Sequence, residues 1–110
     1  MEPSAKLFGS NSRSRVLVAI ALLRDSYARE LARVTGVPLV SVQRITQSLE
    51  RDAVITGRPS GSTRLLSLNR RLYGVDELDA FLVKYARRMP DLIESIETLR
   101  RRPRRSGKEV

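Results

Sequence analysis

The chain contains no cysteine, no histidine and no tryptophan, and each absence removes a class of chemistry. Without thiols there is no disulfide, no thiolate nucleophile and no zinc–sulfur site. Without imidazole, the commonest acid–base group at neutral pH is missing as well. No carboxylate cluster and no glycine-rich phosphate loop takes their place, so no enzyme activity, metal or cofactor is expected. Aromatics are scarce, at three Tyr and two Phe, which argues against a large aromatic pocket within one chain. Long apolar runs are absent too. The longest, residues 16–23, is eight residues, against the roughly 20 needed to cross a bilayer. Arg13 and Arg15 precede this run as in a signal peptide, but Arg24 and Asp25 follow directly and no small-residue cleavage site appears. A cytoplasmic location is expected. No stretch combines a basic face with aromatic anchors, so no membrane surface is expected as partner.

Positive charge is abundant. Lys and Arg number 21 against 12 Asp and Glu, a net +9. Such an excess favours a polyanionic partner without specifying a fold. It is also unevenly placed. Residues 1–72 carry 12 basic and 5 acidic side chains (net +7), residues 73–99 carry 3 and 6 (net −3), and residues 100–110 carry 6 and 1 (net +5). A basic body, an acidic stretch and a basic tail suit a nucleic-acid module followed by a segment with another task. At 110 residues the chain has room for one domain with a modest core.

Leu7 and Phe8 stand out as adjacent large apolar residues in the otherwise small and polar stretch before the first helix, and suit an anchor. Ser12 is suited to cap a helix over residues 12–24, with Val16, Leu17, Ile20 and Leu23 as one apolar stripe. Ser26 is suited to cap a second helix over residues 27–35, which turns Leu31, Ala32 and Val34 inward. Gly36 then ends it, since glycine accepts the left-handed backbone that closes a helix. Pro38 opens a third helix over residues 38–52, where its missing N–H is no loss, with Val42, Ile45 and Leu49 buried. From residue 54 the periodicity becomes that of strands. Residues 54–57 and 63–68 form a hairpin around a five-residue turn at 58–62. Residues 75 onward are helical again. The expected fold class is mainly α with a small β-hairpin, an α+β arrangement.

The spacing around Gly36 is informative. Ala32 lies four residues before it, Val42 six after it, and Ile45 three further on. Two helices that cross closely need a small residue at the crossing, a glycine in the turn and two apolar residues facing back. With the hairpin that follows, these residues resemble winged helix-turn-helix regulators of the MarR and ArsR type, over about residues 7–72. Leu7-Phe8-Gly9-Ser10, Tyr27-Ala28-Arg29-Glu30-Leu31-Ala32 and Val42-Gln43-Arg44 are also similar to winged-helix modules found beside nucleotidyltransferase domains. One departure is Ala53, where such proteins place Gly. A left-handed Ala costs roughly 1 kcal/mol, so the exit into the hairpin is expected to differ slightly.

The resemblance implies a third helix in the major groove of DNA and a wing on the flanking backbone or minor groove. Its groove side then comprises Leu39, Val40, Ser41, Gln43, Arg44 and Gln47. Arg44 is suited to a guanine edge, Gln43 or Gln47 to adenine, and Leu39 and Val40 to thymine methyls. Ser41 suits a phosphate. Arg58, Ser60 and Arg64 in the wing, and Arg13 and Arg15 in the first helix, are further contacts to backbone or minor groove.

Leu78, Leu82, Tyr85, Met89, Leu92, Ile96 and Leu99 alternate by four and three, a heptad seam widened by Phe81 and Ile93. Residues 73–100 are therefore expected to form a helical dimerisation region, kinked or restarted near Met89 because Pro90 removes a backbone donor. The same stripe would alternatively fold onto the first helix of its own chain. Residues 101–110 form a basic tail expected to be disordered. The sequence thus points to a homodimeric, double-stranded-DNA-binding transcriptional regulator with recognition helices roughly 34–36 Å apart. The alternative is a winged-helix adaptor or antitoxin-like partner of a separate enzyme such as a nucleotidyltransferase, favoured by the apolar Leu39-Val40 pair. Any small-molecule effector is left to a cleft between protomers.

Overall fold

Residues 16–21 of the first helix are all withdrawn from water, and most of the architecture serves to cover them. The computed structural model describes residues 10–101, so the Leu7-Phe8 anchor and the tail from residue 102 lie outside the described residues. Five α-helices and one hairpin follow in the order α1 (Asn11–Leu23), α2 (Ala28–Thr35), α3 (Leu39–Arg51), β1 (Ile55–Ser60), β2 (Thr63–Leu68), α4 (Val75–Tyr85) and α5 (Pro90–Arg101). The mainly helical α+β class is as expected. No helix among the described residues is long and apolar enough to cross a membrane.

Ser10, not Ser12, caps α1. Its Oγ accepts a hydrogen bond from the Arg13 amide at 3.1 Å, satisfying one of the open donors of the first turn. The expected single stripe is also too narrow. Val18, Ala19 and Ala21 are buried along with Val16, Leu17 and Ile20, so apolar contacts surround the helix. A helix apolar on every side has to sit in the interior. It does: α2, α3, β2, α4 and α5 all pack on it.

Ser26 does not cap α2 either; Tyr27 occupies the cap position without a side-chain hydrogen bond. The Ser26 backbone instead pairs with Leu66 of β2 in both directions, at 3.0 and 2.6 Å, and its Oγ donates to Glu30 Oε1 at 2.8 Å. This bridge ties the hairpin to the start of α2. Gly36 closes α2 at φ 77°, and its amide donates to the Ala32 carbonyl at 3.0 Å, as the spacing predicts. Pro38 stands just before α3 in extended backbone, and its carbonyl accepts from Val42.

The exit from α3 corrects one expectation. Ala53 takes up the left-handed backbone, φ 63°, that the resemblance assigns to glycine. The Val54 amide reaches back to the Leu49 carbonyl and the Ala53 amide to that of Glu50, both at 2.9 Å. This is the paired closure of a Schellman motif, and Val54 packs half-buried against the core. Asn69 Nδ2 donates to the Ala53 carbonyl at 2.9 Å and reinforces it. The route is therefore kept, and the alanine bears the strain.

The hairpin turn contains two residues rather than five. β1 and β2 pair antiparallel from Ile55–Leu68 to Ser60–Thr63, leaving Gly61 (φ 63°) and Ser62 at the tip. A glycine at the first central position suits the tight turns that match strand twist. Pro59 sits beside the Ser60–Thr63 pair that closes the turn, where ladder bonds alternate, so its missing N–H interrupts nothing.

The C-terminal seam differs most from expectation. Leu82, Met89, Leu92 and Ile96 are buried in the chain's own core, and Leu78, Tyr85 and Leu99 pack against it half-buried. α4 lies on α1, and α5 on α2 and α1. The seam read as a dimer interface is closed within one chain, and residues 73–100 pack with residues 10–72 into one body. Pro90 does restart the helix. A single 3-10 turn at Ala86–Arg88 and a non-helical Met89 separate α4 from α5.

Polar clamps fasten this layer. Arg15 Nε donates to the Thr35 carbonyl at the end of α2, and its Nη2 pairs with Asp91 at 2.9 Å. Arg100 donates to the Leu22 carbonyl at the end of α1. Arg24, held at φ 74° in a three-residue turn closed by the Asp25 amide on the Leu23 carbonyl, pairs with Asp79. Arg70 pairs with the same carboxylate at 2.7 Å.

Two outcomes follow. Ala53→Gly should raise stability by about 1 kcal/mol, read as an increased urea midpoint at unchanged slope. Burial works against ionised Asp79, whose side chain is 13% exposed, but Arg70 and Arg24 hold its carboxyl below the usual range. A lowered folded pKa means that this stabilisation is complete above the unfolded value of about 3.9 and is lost as pH falls through the folded value. Asp79→Asn should therefore lower the urea midpoint at neutral pH, and the deficit should shrink on acidification.

Candidate nucleic-acid interface

α3 is amphipathic, and its two sides face different worlds. Val42, Thr46 and Leu49 are buried against the body, while Val40, Gln43, Arg44, Gln47 and Arg51 are exposed. Positions 40, 44, 47 and 51 follow helical spacing and form one outward stripe along the rod. Leu39 and Ser41 sit half-buried at its margins. Val40 is 65% exposed, a large apolar side chain in water at the head of the helix. The Arg44 side chain has no hydrogen bond or ion pair among the described residues. Gln43, Arg44 and Gln47, singled out from the sequence, are thus presented side by side on a rigid element.

Arginines flank this stripe on opposite sides. On one side Arg13 donates to Ser48 Oγ at 3.1 Å and lies 3.7 Å from an Asp52 carboxylate oxygen. On the other, Arg64 reaches from β2 to Glu50, Nη2 to Oε2, at 2.6 Å. The hydrogen bond that Arg64 donates to Glu50, and the negative charge of that carboxylate, hold the guanidinium even more firmly protonated than usual. Gly57 makes the reach possible. A Cβ there would lie 2.6 Å from Arg64 Nε, so the side chain crosses β1 only over a glycine. Arg58, placed in β1 rather than in the turn, pairs with Asp25 at 3.3 Å, and Ser60 is exposed beside the tip.

Arg15 does not join this surface. Its guanidinium is fastened to Thr35 and Asp91 and serves the packing of α5. Arg29 and Arg51 do join it, and sequence reasoning overlooked both. Arg51 continues the outward stripe, and the i+4, i+7 spacing from Arg44 would have found it. Arg29 lines an open cavity of about 410 Å³ between α3, the start of α2 and the hairpin, together with Tyr27, Leu39, Gln43, Gln47 and Arg64. Only the tertiary arrangement brings Arg29 there. Among the described residues no group of three carboxylates converges to hold a metal ion.

The surface thus combines a row of amide and guanidinium donors with cationic side chains on either flank. Such a row can hydrogen-bond to planar acceptor edges, and the flanking cations can meet anionic oxygens. No protein-family model matches the chain, and no curated protein matches it significantly in sequence.

Glu50 restrains Arg64, so Glu50→Gln should free a cation at the groove edge. If duplex DNA is the ligand of this surface, fluorescence anisotropy should then show tighter binding, with a log–log salt slope steeper by roughly 0.9 for one added phosphate contact. The gain should vanish when Arg64 is also changed to Ala.

Proposed function

We propose that this protein is a sequence-specific double-stranded-DNA-binding regulator of winged helix-turn-helix type, with α3 as the recognition helix and the β1–β2 hairpin as the wing. The observation that carries this reading is the outward stripe of α3, where Arg44 has no partner among the described residues and stands between Gln43 and Gln47. An arginine flanked by amides on an exposed helix is suited to the acceptor edges of guanine and adenine in the major groove. The left-handed Gly36 turn between α2 and α3 and the hairpin tied to α2 through Ser26 and Leu66 agree with the winged arrangement. In this reading Arg13 on one flank, and Arg64 and Arg58 on the other, leave their carboxylate partners to meet phosphates on either side of the groove. A net charge of +9 supplies the long-range attraction.

A second reading rests on one specific feature. Val40 and the Leu39 beside it offer an apolar contact at the head of α3, which suits a protein partner, as in an adaptor or antitoxin-like subunit of a separate enzyme.

Selection of bound sequences from random duplex DNA, followed by salt titration on the selected site, tests the first reading. Arg44→Ala should cost about 1–3 kcal/mol at one base position and relax specificity there. Absence of salt-sensitive duplex binding by the wild-type protein would overturn the DNA reading. Unchanged duplex affinity in Arg44→Ala, with loss of a protein contact in Val40→Glu, would favour the adaptor.

A further inference from the structure

With its inner side packed on α1, α4 presents Glu77, Ala80, Phe81 and Lys84 outward, all exposed. Their spacing of three, four and seven residues places them in one stripe two turns long. Phe81 is 44% exposed, and its ring stacks on Tyr85 with centroids 5.6 Å apart, which fixes it over the face. The two ends of the stripe carry opposite charge. Glu77 stands in the first turn beside Asp76, which already pairs with Arg70 at 3.3 Å, while Lys84 stands in the last turn and Arg87 and Arg88 in the 3-10 turn beyond. Neither Glu77 nor Lys84 forms an ion pair among the described residues.

An acidic end, an apolar middle and a basic end match themselves only when one copy is reversed. We infer that the outward face of α4 is a twofold interface between two copies of this chain, paired antiparallel. This inference is independent of the proposed DNA binding.

The register follows from the spacing. Glu77 lies three residues before Ala80, and Lys84 three after Phe81. An axis passing between Ala80 and Phe81 sets Phe81 of one copy over Ala80 of the other, where the small side chain lets the helices approach. The same axis sets Glu77 against Lys84 of the second copy, and symmetry makes this pair twice. Parallel pairing would place like charges together, whereas antiparallel pairing also opposes the helix dipoles. Fully exposed Tyr73, just before α4, adds an aromatic group at the edge, toward the end where Arg87 and Arg88 of the second copy lie. A two-turn stripe is smaller than the roughly 800 Å² per partner of a standard stable interface, so this dimer is one that dissociates on dilution.

Sedimentation velocity on the full chain tests it, over a concentration series from about 1 µM to about 1 mM. The wild type should show a monomer–dimer equilibrium, and Phe81→Glu should be monomeric with an unchanged helical circular dichroism signal. Glu77→Lys and Lys84→Glu each turn two attractions into two repulsions, so each should weaken association about tenfold or more. The double variant E77K/K84E restores opposite charges and should return the association to near the wild-type level. A wild type monomeric throughout, association that survives Phe81→Glu, or a double variant no better than its parents would each overturn the inference.

Discussion

α1 is apolar around its whole circumference, and a helix of that kind needs cover on every side. α2 and α3 shield two of its faces, and β2 shields part of another. The remainder would be open to water without α4 and α5. Each large aliphatic side chain buried along α1 contributes about 1.5–3 kcal/mol, so closing the last side favours the C-terminal helices over a stripe left waiting for a second molecule. Leu82, Leu92 and Ile96 are therefore core residues of the chain itself. The α3 stripe has no such demand upon it and remains outside.

Closing that layer leaves local strain at two turns. Arg24 and Ala53 both hold positive φ without being glycine. Both are over-determined by tertiary bonds: Arg24 by Asp79, and Ala53 by Asn69 and the Schellman pair. These turns govern the path from α1 into α2 and from α3 into the hairpin. Together with the Ser26–Leu66 bridge, they fix the angle between α3 and the hairpin. The strain thus sits where the candidate surface gets its shape, and the bonds that hold it make α3 and the hairpin one rigid unit.

The arginines divide by what holds them. Arg15, Arg24, Arg70 and Arg100 fasten helices and loops together. Arg13, Arg58 and Arg64 rest on Asp52, Asp25 and Glu50 around α3 and the hairpin. Arg44 projects from α3 without a partner among the described residues. A count of charge does not separate these groups, because an arginine clamped to a carbonyl and one facing solvent are the same residue in the sequence. Each ion pair of the second group has at least one partner more than half exposed, so solvent screens it, and a stronger anion can take the carboxylate's place.

What the sequence determined by itself is local. Glycine chemistry at Gly36, the period-3.6 pattern of α2 and α3, the strand character of residues 63–68 and the break at Pro90 depend on near neighbours and so were legible. The exposed donors of α3 were legible for the same reason, because once Val42 and Leu49 turn inward the opposite side must turn out. Tertiary structure decided everything that depends on distant chain. It decided that the heptad seam meets α1 rather than a second copy, since an apolar stripe carries no record of which apolar surface covers it. It set Ser26 against Leu66 instead of at a helix cap, fastened Arg15 to Asp91, and brought Arg29 to the groove. Periodicity states which side of an element is buried; only packing states against what.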